Sequence, residues 1–198
     1  MRFINQLDYA HIPYHTRVKV PGLTEEEMLR SVRKSGCGLC CTCMMVDILT
    51  DKSLDIEECV RISEGCFANH NTGTDMKVLA PVIAEMFELE YRGTDDLGES
   101  IEHLRNGGVI IAHVWTPEGA EKGLFTNGSG HYIALISTDG KDFCILDPSY
   151  SEEKYADPAR VGRVDASAAP YLYADVNVVD AETKLNRIKY HLFARKRK

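Results

Sequence analysis

Several features that would fix the class of this chain at once are missing from it. No apolar run approaches the ~18 residues that a membrane helix needs. The first residues, Met1-Arg2-Phe3-Ile4-Asn5-Gln6, hold no apolar core of a signal peptide. Basic residues are in deficit, with 23 Lys plus Arg against 30 Asp plus Glu and a net charge of −7. That balance excludes the basic footprint of a nucleic-acid binder. No internal repeat or low-complexity segment stands out. With 44% apolar and 27% charged residues, the composition excludes disorder, a fibre or a coiled coil. The expectation is a single domain over 1–198 with neither nucleic acid nor membrane as partner.

What the sequence does have is cysteine, in an odd number and mostly in one place. Of the seven, Cys37, Cys40, Cys41 and Cys43 fall within seven consecutive positions, while Cys59, Cys66 and Cys144 are scattered. Crowding, the odd count and the missing export signal argue against a secreted disulfide scaffold. They point to reduced thiols in the cytoplasm.

Punctuation along the chain sets the elements. The first 20 residues read as extended, with Pro13 and Pro21 as breakers. Thr24 and Glu27 form a capping box for a helix to about Lys34, ended by Ser35-Gly36. A second helix runs from Cys37 to about Leu49. Asp55 with Glu58 opens a third, Thr74-Asp75 a fourth to about Phe87, and Asp95–Arg105 is a fifth, stopped at Gly107-Gly108. Val109 to Trp115 is a continuous apolar run of strand length. Residues 116–130 read as a long loop. His131 to Ser137 and Asp142 to Leu146 form a hairpin about Asp139-Gly140. Leu172–Val179 and Ile188–Ala194 look like two further strands. Helices therefore precede strands. This predicts an α+β fold, with a helical lobe over about 22–107 packed on an antiparallel sheet lobe over about 108–195. A cleft between lobes is a natural site.

Cys37 stands between Gly36 and Gly38 at a helix start. Orphan N–H groups and the helix dipole there favour a thiolate, the competent nucleophile. The two glycines leave room for a substrate backbone. Cys40, Cys41 and Met44 follow Cys37 at helical spacing on one face, and Cys40, Cys41 and Cys43 read as small packing residues. A zinc or iron–sulfur centre would want a second Cys-x-x-Cys, which the chain lacks. A redox Cys-x-x-Cys would want a preceding strand.

A cysteine nucleophile needs a base and the base an orienting group. Of the seven histidines, His131 alone follows a flexible Gly128-Ser129-Gly130 at the start of a strand. His11, His15 and His70 fall in extended or loop segments, His103 in a helix, and His113 and His191 in strands. Asp147 ends the partner strand of the hairpin, where it can meet His131 across the strands.

Gly36-Cys37-Gly38, Gly130-His131-Tyr132, Asp147-Pro148 and the opening Gln6-Leu7-Asp8-Tyr9 together resemble the papain-type cysteine peptidases related to bacteriocin-leader (double-glycine) processing peptidases. The likeness is to their stand-alone branch, over roughly residues 4–150. It implies a papain-like fold, with Cys37 as nucleophile, His131 as base, Asp147 as orienter and Gln6 as the oxyanion-hole side chain. The family glutamine often lies about six residues before the cysteine, where this chain has Ser31. Gln6 lies 31 residues before Cys37, so the intervening segment must fold back.

The expected activity is hydrolysis of a peptide or small amide through a Cys37 thioester, with Gly36, Gly38 and Gly130 beside the substrate and no metal or cofactor required. The alternatives are acyl transfer to an amine by the same thiol, a non-catalytic peptide-binding module, and a metal or redox protein built on Cys37 to Cys43.

Overall fold

In a computed structural model, residues 2–16, 21–22, 24–69, 73–183 and 188–196 are described, apart from the Glu27 side chain. His70 and the last residues of the basic tail lie outside that set, as does half of the Thr24–Glu27 capping box.

The N-terminal segment is not extended throughout. The Asn5 side chain accepts the Leu7 N–H at 3.0 Å and caps a short 3₁₀ helix, Gln6–Asp8. The helix expected over 24–34 is two short pieces, α1 (Glu25–Met28) and α2 (Val32–Ser35). Between them the chain pairs with the N-terminal segment instead of with itself. Tyr14 donates to the Arg30 carbonyl at 2.8 Å and Val32 to the Ile12 carbonyl at 3.0 Å. Those bonds keep residues 29–31 out of the helical ladder, and they supply the fold-back that brings Gln6 beside Arg33.

Helix α3 (Cys37–Leu49) is buried along almost its whole length. Cys40, Cys41, Cys43, Met44, Met45 and Val46 have no exposed surface, the signature of a helix enclosed on all sides. Next come α4 (Ile56–Gly65) and α5 (Met76–Met86), the latter capped by the Asp75 carboxylate on the Lys77 N–H. Asp55, expected as the α4 cap, makes no side-chain cap bond and accepts from Arg2 at 3.3 Å.

The remaining elements are β1 (Leu89–Thr94), α6 (Leu97–Arg105), β2 (Val109–Trp115), β3 (Gly130–Thr138), β4 (Asp142–Leu146), α7 (Glu152–Tyr155), β5 (Asp165–Ala168), β6 (Tyr171–Asp175), α8 (Val176–Thr183) and β7 (Tyr190–Arg195). Among the described residues they form one seven-stranded sheet in the order β1-β7-β2-β3-β4-β6-β5, antiparallel at every step. The fold is thus α+β.

Three assignments differ from the sequence expectation. Strand β1 lies inside the stretch read as helical and pairs with β7, a partner about 100 residues away with no local signal. Strand β5 falls between Pro148 and Leu172, where the sequence pattern predicts no element. The strand expected over 172–179 splits at Asp175, whose carboxylate accepts the Asn177 and Val178 N–H groups and turns the chain into α8.

Strand β2 shows why its apolar run is continuous. Val109 and Ile111 join the core of α3 and α5 on one face of the sheet. Ile110, Ala112 and Val114 join Leu104 of α6 and Val179 of α8 on the other. Helices therefore cover both faces, and the helical half is not confined to one. No described helix is long and apolar enough to cross a membrane.

Candidate active site

Cys37 is the first residue of α3 and is half-buried. The helix has no side-chain cap, because Gly36 stands at that position. Burial alone would push the thiol up. A hydrogen bond and the charge of His131, with N–H groups of Tyr132 and Gly38, outweigh it and hold Cys37 below the ordinary thiol value.

His131 is the second residue of β3. Its Nε2 is 2.7 Å from Asp147 Oδ1, which leaves Nδ1 as the ring nitrogen not engaged by the carboxylate. Burial disfavours the imidazolium, but the Asp147 carboxylate and Cys37 more than reverse this and push His131 up to about 9. Asp147 is fully buried just beyond β4. Its burial would favour the neutral acid; Lys154 and His131 instead hold it well below the usual carboxylate range.

The pair does not meet as directly opposed strand residues. Ala134 lies opposite Leu146, with a register shift between Leu135 and Ser137. Continuing that register puts Ser149, not Asp147, across from His131. Asp147 reaches His131 on a diagonal, and Ser149 Oγ sits 3.2 Å from the same Nε2. The Ser149 N–H and Oγ both donate to Asp147 Oδ1, at 2.8 and 3.0 Å.

Two more groups escaped the sequence reading. Lys154 Nζ donates to Asp147 Oδ2 at 2.6 Å, and the Tyr155 hydroxyl donates to the same oxygen at 2.6 Å. Both lie on α7, whose start is marked by Ser151 accepting the Lys154 N–H before two glutamates. That N-cap pattern was the available signal.

Gln6 is brought to the site by the fold-back. Its backbone N–H donates to the Pro148 carbonyl at 2.7 Å, and its side-chain Nε2 donates to the Arg33 carbonyl at 2.8 Å. Its Oε1 is buried with no hydrogen-bond partner. Ser31, six residues before Cys37, lies opposite Pro13 in a backbone bridge.

Two cavities of about 550 and 460 Å³ meet at Cys37 and His131, and both are lined by Lys34, Ser129 and Gly130 as well. The first continues over His113, Trp115, Tyr132 and His191. The second continues over Gln6, Phe125, Thr126, Ser149 and Lys154. Cys37 thus sits at the junction of two halves of one groove. The 116–130 loop walls the second half. No protein-family model matches the chain, and no curated protein matches it.

The glycines divide. Gly130 lines both cavities, and a Cβ there would lie 2.6 Å from the Trp115 ring. Gly36 and Gly38 line neither. A Cβ at Gly36 would meet the Val32 carbonyl at 2.7 Å, and one at Gly38 would meet Thr74 Cβ at 2.9 Å. Their missing side chains admit the protein's own neighbours.

The other groove histidines carry no charge at neutral pH. Burial, then the nearby His131, push His113 down to about 4, and its ring stacks on Tyr132 at 4.4 Å. Burial and His113 push His191 down to about 3. Behind Cys37, burial first, reinforced by neighbouring thiols, raises Cys40 and Cys41 well above the ordinary value. Among the described residues no three His, Cys, Asp or Glu side chains converge as a metal site.

Proposed function

We propose that this protein is a cysteine peptidase of papain-like fold, which hydrolyses a peptide or small amide through a Cys37 thioester. One observation carries the reading. Cys37 and His131 line the same junction of two groove halves, and His131 Nε2 is held by Asp147 Oδ1 at 2.7 Å.

The chemistry follows from the charges. The Cys37 thiolate attacks the carbonyl carbon and a C–S bond forms. The oxyanion is held by the Cys37 N–H at the helix start and by the Gln6 amide; one such donor contributes about 3–4 kcal/mol. His131 gives its Nδ1 proton to the leaving amine as the C–N bond breaks. Neutral His131 then takes a proton from water, and the hydroxide displaces the thiolate from the thioester. Asp147 keeps the ring oriented and stabilises the imidazolium throughout. The thiols call for a reducing setting such as the cytoplasm.

The test is incubation with a synthetic peptide library in H₂¹⁸O, with and without an added amine. Hydrolysis puts ¹⁸O into the new carboxyl terminus, and transfer puts the amine there instead. Cleavage that persists in Cys37→Ala overturns the proposal.

A further inference from the structure

The cation beside the triad carboxylate is a choice the chemistry must explain. Asp147 Oδ1 is already satisfied by His131, the Ser149 N–H and the Ser149 hydroxyl, and Oδ2 receives the Tyr155 hydroxyl. Neutral donors are therefore enough to orient it. Lys154 adds a full positive charge at 2.6 Å, with only 12% of its side chain exposed. Burying a cation is costly unless its charge is used. The ammonium is held by all three of its hydrogens, on Asp147 Oδ2, on Ser149 Oγ at 2.7 Å and on the Phe125 carbonyl at 2.9 Å. Its own backbone carbonyl accepts from Arg160, whose buried guanidinium also holds Leu124, Thr126 and Asn127 of the groove wall. The ammonium cannot swing away.

We infer that Lys154 is a positioning residue that sets the basicity of His131 by neutralising part of the Asp147 charge from the side opposite the imidazole. The inference rests on the proposed triad. A bare buried carboxylate would make His131 hold its proton too tightly to release it to a leaving amine. The cation limits that rise. The other titratable and charged groups around the pair include Cys37 and Cys41 from α3, Lys34 from α2, His113 from β2, and Glu153 and Tyr155 from α7, with Asp157, Arg160 and Glu182 beyond. Lys154 is the cation in direct contact with Asp147.

The sign is fixed by electrostatics. Removing the cation strengthens the field of Asp147 at His131, so the imidazolium becomes harder to deprotonate. The experiment is a pH titration of His131 by ring-nitrogen NMR on full-length ¹⁵N-labelled protein, with His131→Ala assigning the signal. In Lys154→Gln, which keeps a donor without the charge, the midpoint moves up by about one pH unit. Lys154→Met moves it the same way and serves if the first variant fails to fold. Lys154→Arg restores the wild-type midpoint. A midpoint unchanged or lowered in the neutral variants overturns the inference. Full peptidase activity in Cys37→Ala would overturn the proposed function and leave this titration where it is, so the two failures are distinguishable.

Discussion

At the scale of single residues, the site is a balance of charges that titrate in opposite senses. His131 is pushed up to about 9 from the ordinary ~6.5, so its stabilising contribution is full below pH 6.5 and is lost as pH rises through 9. Asp147 is depressed, so its contribution is present at neutral pH and lost as pH falls through the acid range. Cys37 is lowered, and gains stability towards alkaline pH that offsets the loss at His131. Urea unfolding of Cys37→Ser, which cannot compensate, should show stability falling between pH 6.5 and 9 by on the order of 2 kcal/mol. Adding Asp147→Asn should abolish that slope. Cys37 and His131 were legible in the sequence because each stands at an element boundary, Cys37 between Gly36 and Gly38 and His131 directly after Gly130. Ser149 and Lys154 were not. Ser149 owes its place to a register shift between Leu135 and Ser137, and hairpin spacing alone does not reveal a bulge, while Lys154 is placed by α7, whose Ser151 cap marks a helix start but not its partner.

At the scale of elements, two devices hold the groove. One is close approach. Helix α3 reaches β3 across Gly38, where a Cβ would meet Thr74 Cβ at 2.9 Å and Tyr132 Cδ2 at 3.2 Å. Gly38→Ala should therefore cost about 1–3 kcal/mol in thermal or urea unfolding despite the better helix propensity of alanine, because two walls must move. The other device is Arg160, only 2% exposed, which donates to three carbonyls and to Asn127 Oδ1. Arg160→Met removes that donor from all four acceptors, of which the Thr126 carbonyl keeps a backbone partner, the Gly123 N–H, and should cost about 3–5 kcal/mol. It should also make limited proteolysis cut first within 116–130. The sequence made the long helices and the central strands legible through caps and periodicity. It hid β1, an edge strand whose partner is distant, and it hid the change from β6 to α8, which depends on one Asp175 cap.

At the scale of the whole molecule, the sheet is the device that brings distant residues together. Its two apolar faces are each covered by helices, and one end of it collects the start of α3, the start of β3 and the end of β4. The N-terminal segment then ties the helices to that end, through Gln6 on Pro148 and Asn5 on Tyr150. The order of helices before strands was readable, but the coverage of both faces was not, since that depends on how α6 and α8 return to the sheet. Seven cysteines separate by place in this arrangement: Cys40, Cys41, Cys43 and Cys59 are sealed in the core, while Cys37 opens on the groove. That difference is the central claim, and site-resolved alkylation measures it directly. Iodoacetamide is applied to the folded protein near pH 7, and the rate at each cysteine is read by mass spectrometry. Cys37 should react at least about tenfold faster than the half-buried Cys66, and His131→Ala should remove that advantage. A Cys37 no faster than Cys66, or one indifferent to His131→Ala, would contradict the account.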